Sequence, residues 1–278
     1  MTGARASSWL RAAAIACPAA VMASGTAAQA VRGVQGRFIT VPAGEFRSVL
    51  PAAGLGGARL VRIEPFEIAE TPVTNAQFLG FVRADGEWSR DRIAPIFADR
   101  EYLAHWSRPG ELGAAAQPDQ PVTNVSWFAA SAYCEAVGAR LPTWDEYEYL
   151  LAADETSRDA RADPAWRERM LAWYSRPSTG ALAPVGKTPA NVYGVRDLHG
   201  LVWEWVLDFN ALLLSGDNRE QGDPDRLKFC GAGALAVVDR ENYPILMRLA
   251  LLSSLEAAHT TRNLGFRCAR DSRGGSGQ

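Results

Sequence analysis

The chain has 278 residues, of which 47% are hydrophobic and 22% are charged, a composition typical of a globular protein. Its 29 lysines and arginines nearly balance 31 aspartates and glutamates. The sequence therefore predicts no strongly basic surface and argues against a nucleic-acid partner.

Residues 1–30 differ from the rest of the chain. They carry Arg5 and Arg11, no acidic residue and an alanine-rich apolar run, and they end in Ala28-Gln29-Ala30. This pattern is typical of a secretory signal peptide, because the run is too short to span a bilayer and a small-residue cleavage site follows it. We therefore expect a periplasmic protein with no membrane span. Two alternatives remain, an alanine-rich first helix and lipidation at Cys17.

The first predicted elements after residue 30 are strands. Residues 37–48 read as two short strands around a Pro-Ala-Gly turn, and residues 59–69 form a β-rich run with a proline break. Thr74 and Gln77 have the spacing of a capping box, which predicts a helix through Val82.

Helices and irregular segments follow. Residues 85–120 are rich in charge, proline and glycine and predict a long irregular excursion. A helix is expected from about Trp127 to Val137, and a second capping box at Thr143 begins one that ends near Ala153. Residues 154–170 predict a solvated helix, later residues predict short strands, and residues 271–278 a disordered tail. The fold class is α+β, low in regular structure.

The chain contains four cysteines, at positions 17, 134, 230 and 268. Removal of residues 1–30 would leave three. An oxidising compartment favours pairing of two, so one thiol remains free or pairs outside the chain.

The stretch DLHGLVWEW, residues 197–205, places two tryptophans beside a glutamate after a His-Gly turn. From the residues alone it is a sugar platform, a metal-binding turn or core with a charged edge.

Four segments in this order resemble the formylglycine-generating enzyme family, also called sulfatase-modifying factors. They are ETPVTNAQFLGFV, PVTNVSWFAASAYCEAVGARLPTWDEYEYLLA, PVGKTPANVYGVRDLHGLVWEW and NLGFRCAR. The resemblance implies one domain over residues 31–270, with C-type-lectin-like topology.

The resemblance also implies a calcium site in the 197–205 stretch. Its oxygen ligands would come from Asp197, Gly200, Val202 and Glu204, and calcium accepts such carboxylate and backbone oxygens. Leu201 stands where the family usually has asparagine. The alternative is that Asp197 and Glu204 cap and pair on a surface turn.

For the cysteines, the resemblance implies a disulfide between Cys134 and Cys268. The family's copper chemistry needs two further cysteines on the C-terminal loop, because two thiolates hold copper(I). Residues 231–254 contain none, so formylglycine formation by the family mechanism is not expected. His105, His199 and His259 have no ligand-like spacing, which argues against iron catalysis.

Cys230 lies in LKFCGAGAL, next to the groove that the resemblance implies. Three roles are open for Cys230. It is a soft-metal contact, for example a copper(I) site shared with His259; it is a mixed-disulfide site; or it is a buried free cysteine that acts as a small apolar residue. Asp239, Arg240 and Arg248 follow on the same loop, where they line the groove or are simply solvated.

The predicted function is an exported, non-oxidase binding or accessory factor with a protein partner. Chains with FCGAGA in this loop resemble family members grouped with copper nitrite reductase maturation. The alternatives are a protein-interaction or toxin-neutralising (immunity) module and a thiol-dependent oxidase built around Cys230. The sequence leaves the oligomeric state and the identity of the partner open.

Overall fold

The structure is a computed structural model that describes residues 36–51, 58–175, 180–210 and 243–272. The predicted signal peptide, Cys230, Asp239 and Arg240 lie outside these ranges. Within them, no helix combines the length and the apolar character that crossing a bilayer requires.

Seven short strands and five α-helices form the described part of the chain. The strands are β1 (Phe38–Val41), β2 (Gly44–Pro51), β3 (Ala58–Ile63), β4 (Phe66–Ala69), β5 (Trp203–Glu204), β6 (Leu264–Gly265) and β7 (Ala269–Asp271). The helices are α1 (Asn75–Ala84), α2 (Trp127–Ala136), α3 (Trp144–Leu151), α4 (Pro164–Tyr174) and α5 (Tyr243–Ser253), with a 3₁₀ turn at Gly86–Trp88. This mixture confirms the α+β class.

The strands form three small sheets. The order β1-β4-β7 makes an antiparallel sheet in which Ile68 pairs with both Ile39 and Ala269. Strands β2 and β3 pair antiparallel, and β5 and β6 form a short parallel pair with Trp203 opposite Leu264. The β5–β6 pair matters most for the site, because it joins the 197–205 stretch to the C-terminal segment.

Both predicted capping boxes are present. The Thr74 hydroxyl accepts from the Gln77 amide at 3.2 Å, and the Gln77 side chain accepts from the Thr74 amide at 2.8 Å. Thr143 and Glu146 repeat this arrangement at the start of α3. Each box satisfies two N–H groups that the first helical turn leaves without partners, so local sequence fixes where α1 and α3 begin.

The predicted disulfide between Cys134 and Cys268 is confirmed. Both cysteines are buried, and the bond ties α2 to the residue just before β7. It closes a loop with a sequence separation of 134 residues.

Two predictions of secondary structure need correction. The helix expected over residues 154–170 begins only at Pro164, because Asp154 accepts from the amides of Thr156 and Ser157 and holds a turn there. Short strands were expected in the C-terminal part of the chain, yet residues 243–253 form the helix α5.

Candidate functional site

The 197–205 turn is held first at Asp197. Asp197 is buried, with a left-handed backbone φ of 57°. Its carboxylate accepts from the Gly186 amide, and from the amide and hydroxyl of Thr188 at 3.2 and 2.9 Å. Both carboxylate oxygens therefore already have N–H or O–H donors from the 186–188 turn.

Glu204 at the other end of the turn is fully buried and pairs with Arg267. The Arg267 guanidinium donates to the two Glu204 oxygens at 2.7 and 2.9 Å, in a bidentate pair. Its remaining N–H groups donate to the backbone oxygens of Ala69, Glu70 and Arg196. Burial lowers the pKa of Arg267, but the neighbouring Glu204 outweighs it and the net shift is upward.

Arg248 of α5 is buried. It was predicted to line a groove or to lie on a solvated loop, and its burial contradicts the solvated position. Its guanidinium carbon stands 5.1 Å from the centroid of the Tyr147 ring and 5.4 Å from that of Trp203. It donates to the Tyr147 hydroxyl and, at 2.6 Å, to the Leu198 carbonyl. Cation–π contact with two rings replaces much of the hydration that this cation loses.

Asp197, Glu204, Arg248 and Arg267 form what we call the buried charge cluster. Two carboxylates and two guanidiniums have a formal charge of zero. Glu204 and Arg267 are paired with each other, Asp197 accepts from neutral donors, and Arg248 has two rings and a carbonyl as partners. These contacts and the zero net charge offset the cost of burying four ionisable residues. Three of the four were named in the sequence analysis. Arg267 was missed, although its position between Phe266 and Cys268, in an otherwise apolar run, is a signal of a buried charge.

The predicted calcium ligands do not fit an ion in this arrangement. Calcium needs several oxygen ligands, yet the oxygens of Asp197 face N–H and O–H donors and those of Glu204 face a guanidinium. The described ranges also contain no group of three or more His, Cys, Asp or Glu residues suited to hold a metal ion. Calcium binding at Asp197, Gly200, Val202 and Glu204 stays a prediction, and it would require these contacts to rearrange.

As long as Asp197 and Glu204 keep these contacts, calcium is expected to leave the melting temperature unchanged. A ligand that binds the folded state raises its stability by mass action, so a thermal melt in excess calcium and one in excess EGTA would then coincide. A higher melting temperature in calcium would show that the folded chain binds the ion and would support the predicted site.

Gly200 allows the indole of Trp173 to pack directly against the backbone of the turn. Its φ is +87°, and a Cβ added there would lie 0.5 Å from Cζ2 of Trp173. The Trp173 indole of α4 thus occupies the space that a side chain at residue 200 would need, and only glycine permits it.

Replacing Gly200 with alanine is expected to cost about 1–3 kcal/mol from the left-handed backbone alone, and to displace Trp173 as well. Urea unfolding followed by circular dichroism would measure the loss. Gly180→Ala is the matched control, because no atom lies within 4 Å of its added Cβ. Equal stability of the two variants would contradict the contact.

His199 packs beside the same turn. Its Nε2 lies 3.0 Å from the Leu151 carbonyl, which can only accept, so Nε2 carries the proton. Its ring stands edge-on to Trp166 and Trp173, with centroids 5.7 and 6.2 Å apart. Burial, with the nearby Arg248 and Arg169, lowers the pKa of His199 from 6.5 to about 3, so the imidazole is neutral at pH 7.

Stability is therefore expected to fall as the pH drops from about 6.5 towards 3. The unfolded chain binds a proton at His199 in this window and the folded chain does not, which costs about 1.4 kcal/mol per pH unit for one proton. Burial lowers the pKa of His105 to about 4, which adds a loss of the same sign. In urea titrations at several pH values His199→Gln should flatten the dependence. Identical slopes for His199→Gln and wild type would contradict the assignment.

His259 makes its contacts within its own turn. Its Nδ1 accepts from the Glu256 amide at 3.0 Å, and its Nε2 stands 3.8 Å from the Glu256 carboxylate. The structure thus brings Asp197, Glu204 and Arg248 together, while the contacts of His259 lie elsewhere. A site made by His259 and Cys230 falls partly outside the described residues.

Comparison with known proteins assigns the chain to a family. Residues 23–272 match the model of the sulfatase-modifying factor enzyme 1-like domain. The chain is 32% identical to the formylglycine-generating enzyme of Streptomyces coelicolor, over 91% of this chain and 95% of that protein. It is 30% identical to a mouse protein named inactive C-alpha-formylglycine-generating enzyme 2, over 78% of each chain.

Among solved structures, PvdO from Pseudomonas aeruginosa aligns over 85% of this chain and 95% of its own, with a TM-score of 0.49 and 20% identity. The family assignment depends on the sequence matches, which span nearly the whole chain. The chain belongs to the sulfatase-modifying factor enzyme 1-like, or formylglycine-generating enzyme, family.

Proposed function

We propose that this chain is an exported, non-oxidase member of its family that acts as a binding or accessory factor for a protein partner. The proposal depends on the pairing of the cysteines. Of the four cysteines, Cys134 and Cys268 are joined in a buried disulfide. Loss of the predicted signal peptide would remove Cys17 and leave Cys230 as the one thiol.

One thiol is too few for the copper chemistry that the resemblance implies. Copper(I) is a soft ion, and a site that activates oxygen and also accepts a substrate thiol needs two thiolates from the protein. The segment 231–254, where the second thiol would be expected, has none. The name of the mouse relative, which calls that protein inactive, is consistent with loss of activity in the family.

The finer role that we propose is maturation of a periplasmic copper enzyme such as nitrite reductase. A single thiolate suits transient holding of copper(I), because a site with few protein ligands releases its ion readily. The C-type-lectin-like topology that the resemblance implies would present Cys230 next to an open groove.

Copper(I) titration of the purified chain tests this role. Wild type should bind one copper(I) in competition with a chromophoric chelator, Cys230→Ala should lose it, and His259→Gln should weaken it if the imidazole takes part. Equal binding by wild type and Cys230→Ala, or no binding by either, would overturn the copper role.

The second candidate is a protein-interaction or immunity module, which a partly exposed aromatic surface favours. The rings of Trp88, Phe97, Phe128 and Trp127 contact one another in series, with centroid distances of 6.1, 5.2 and 5.6 Å. Beside them the side chain of Ile96 is 73% exposed. Phe97 in this series and the neighbouring Ile96 are exposed, and contiguous, partly exposed aromatic and aliphatic groups are typical of the anchors of a protein interface.

Two variants separate the two candidates. An immunity module should bind one protein of the encoding organism tightly, keep that binding in Cys230→Ala and lose it in Ile96→Asp. A copper maturation factor should show the reverse dependence for transfer of copper(I) to an apo-enzyme. Binding of a partner that neither variant changes would contradict both.

A further inference from the structure

A cavity of about 200 Å³ lies between the end of α3, helix α4 and the segment 188–199. Its described lining includes none of the aromatic residues of the candidate interaction surface, and a small-molecule site goes beyond the proposed function. Its inner wall is formed by Trp166, Met170, Trp173, Val195, Leu198 and His199.

The cavity lies where a small apolar cluster around α4 meets the main core. Ala160, Trp166 and Met170 form a small buried cluster separate from the main core, to which Val195 and Leu198 belong. Members of both clusters line the cavity, which lies between them beside the ring contacts of Trp166 and Trp173 with His199.

Most of the polar groups that line the cavity already have hydrogen-bond partners within the protein. The Asn191 side chain donates to the Leu150 carbonyl and accepts from the amides of Tyr193 and Val195. Asp197 accepts from three donors of the 186–188 turn, and His199 Nε2 donates to the Leu151 carbonyl. His199 Nδ1 is buried without a hydrogen-bond partner among the described residues, so the inner wall offers apolar and aromatic surface and one neutral acceptor that suits a ring N–H.

Charges of both signs line the cavity near its rim. Arg169 and Glu155 are half-exposed and pair with each other at 3.2 Å. Asp154 accepts from the amides of Thr156 and Ser157 in its own turn. His199, on the inner wall, is neutral at pH 7. An ionic ligand would have to break one of these pairings, whereas a neutral one would not.

We propose that this cavity binds a small, neutral, planar aromatic molecule of one or two rings. A cavity of roughly 150 Å³ lined by apolar side chains accepts benzene, so the larger space here accommodates a bicyclic ring. The rings of Trp166, Trp173 and His199 offer faces and edges for stacked or edge-to-face contact.

Calorimetric titration of the full chain with indole, tryptamine and indole-3-acetate tests the proposal, because the three probes share a ring system and differ in charge. Indole should bind one to one, and the cation and the anion at least tenfold more weakly. Absence of indole binding, or equal or tighter binding of a charged probe, would overturn the proposal.

Substitutions on α4 locate the site. Met170→Trp fills the cavity and should weaken indole binding at least tenfold, while Leu171→Trp, on the exposed side of the same helix, should not change it. Met170→Ala enlarges the cavity and should strengthen naphthalene binding, which keeps the test valid if Met170→Trp fails to fold. Indole binding that Met170→Trp leaves intact, or naphthalene binding that Met170→Ala does not strengthen, would place the ligand elsewhere and contradict the proposal.

Discussion

Replacing Arg267 with methionine is expected to lower the free energy of unfolding by about 3–5 kcal/mol. The substitution leaves Glu204 fully buried without the bidentate donor that now neutralises it. It also removes the donors to three backbone carbonyls. Urea unfolding at pH 7, followed by circular dichroism, would give the value.

Two further variants show whether the effect comes from the buried charge. Arg59→Met breaks a partly exposed pair with Asp145 and should cost at most about 1 kcal/mol. The double variant Glu204→Gln, Arg267→Met should recover part of the loss, because no uncompensated carboxylate remains. An Arg267→Met variant no less stable than Arg59→Met would contradict the buried charge cluster.

Replacing Cys134 and Cys268 together by alanine is expected to cost about 4–5 kcal/mol. The bond closes a loop with a separation of 134 residues, and the entropy that a crosslink removes from the unfolded chain grows with loop length. The bond also joins α2 to the strand that completes the sheet β1-β4-β7.

The matched control for this variant is Cys230→Ala, which removes a sulfur outside the disulfide. Chemical unfolding without reductant should show a much lower midpoint for the double variant and little change for Cys230→Ala. Reductant should lower the unfolding midpoint of wild type and leave that of the double variant unchanged. If reductant changed neither midpoint, the disulfide would be absent from the purified protein.

The elements with local signals were predicted correctly. The capping residues Thr74 and Thr143 fix the starts of α1 and α3, because their hydrogen bonds reach only three residues along the chain. The strands over residues 37–48 and 59–69 were predicted from composition and from their turns. Helix α5 was not, because its sequence, YPILMRLALLS, places one arginine among apolar residues and resembles a buried strand as much as a helix.

The site was predicted only in part. Asp197, Glu204 and Arg248 were named, but their roles depend on contacts between residues far apart in sequence. Arg267 pairs with Glu204, which is 63 residues away in sequence, and Arg248 donates to the hydroxyl of Tyr147, which is 101 residues away. No local pattern encodes such pairings. The cavity beside α4 also depends on how two separate apolar clusters meet, which the sequence does not specify.

We propose that this family member does not oxidise thiols. The most direct test incubates the purified chain, loaded with copper(I) and in air, with a cysteine-containing peptide and follows the peptide by mass spectrometry. We expect the cysteine to persist, with no conversion to formylglycine and no oxygen uptake above that of Cys230→Ala. Catalytic appearance of the aldehyde with wild type, and its loss with Cys230→Ala, would overturn the proposal and establish an oxidase built on a single thiol.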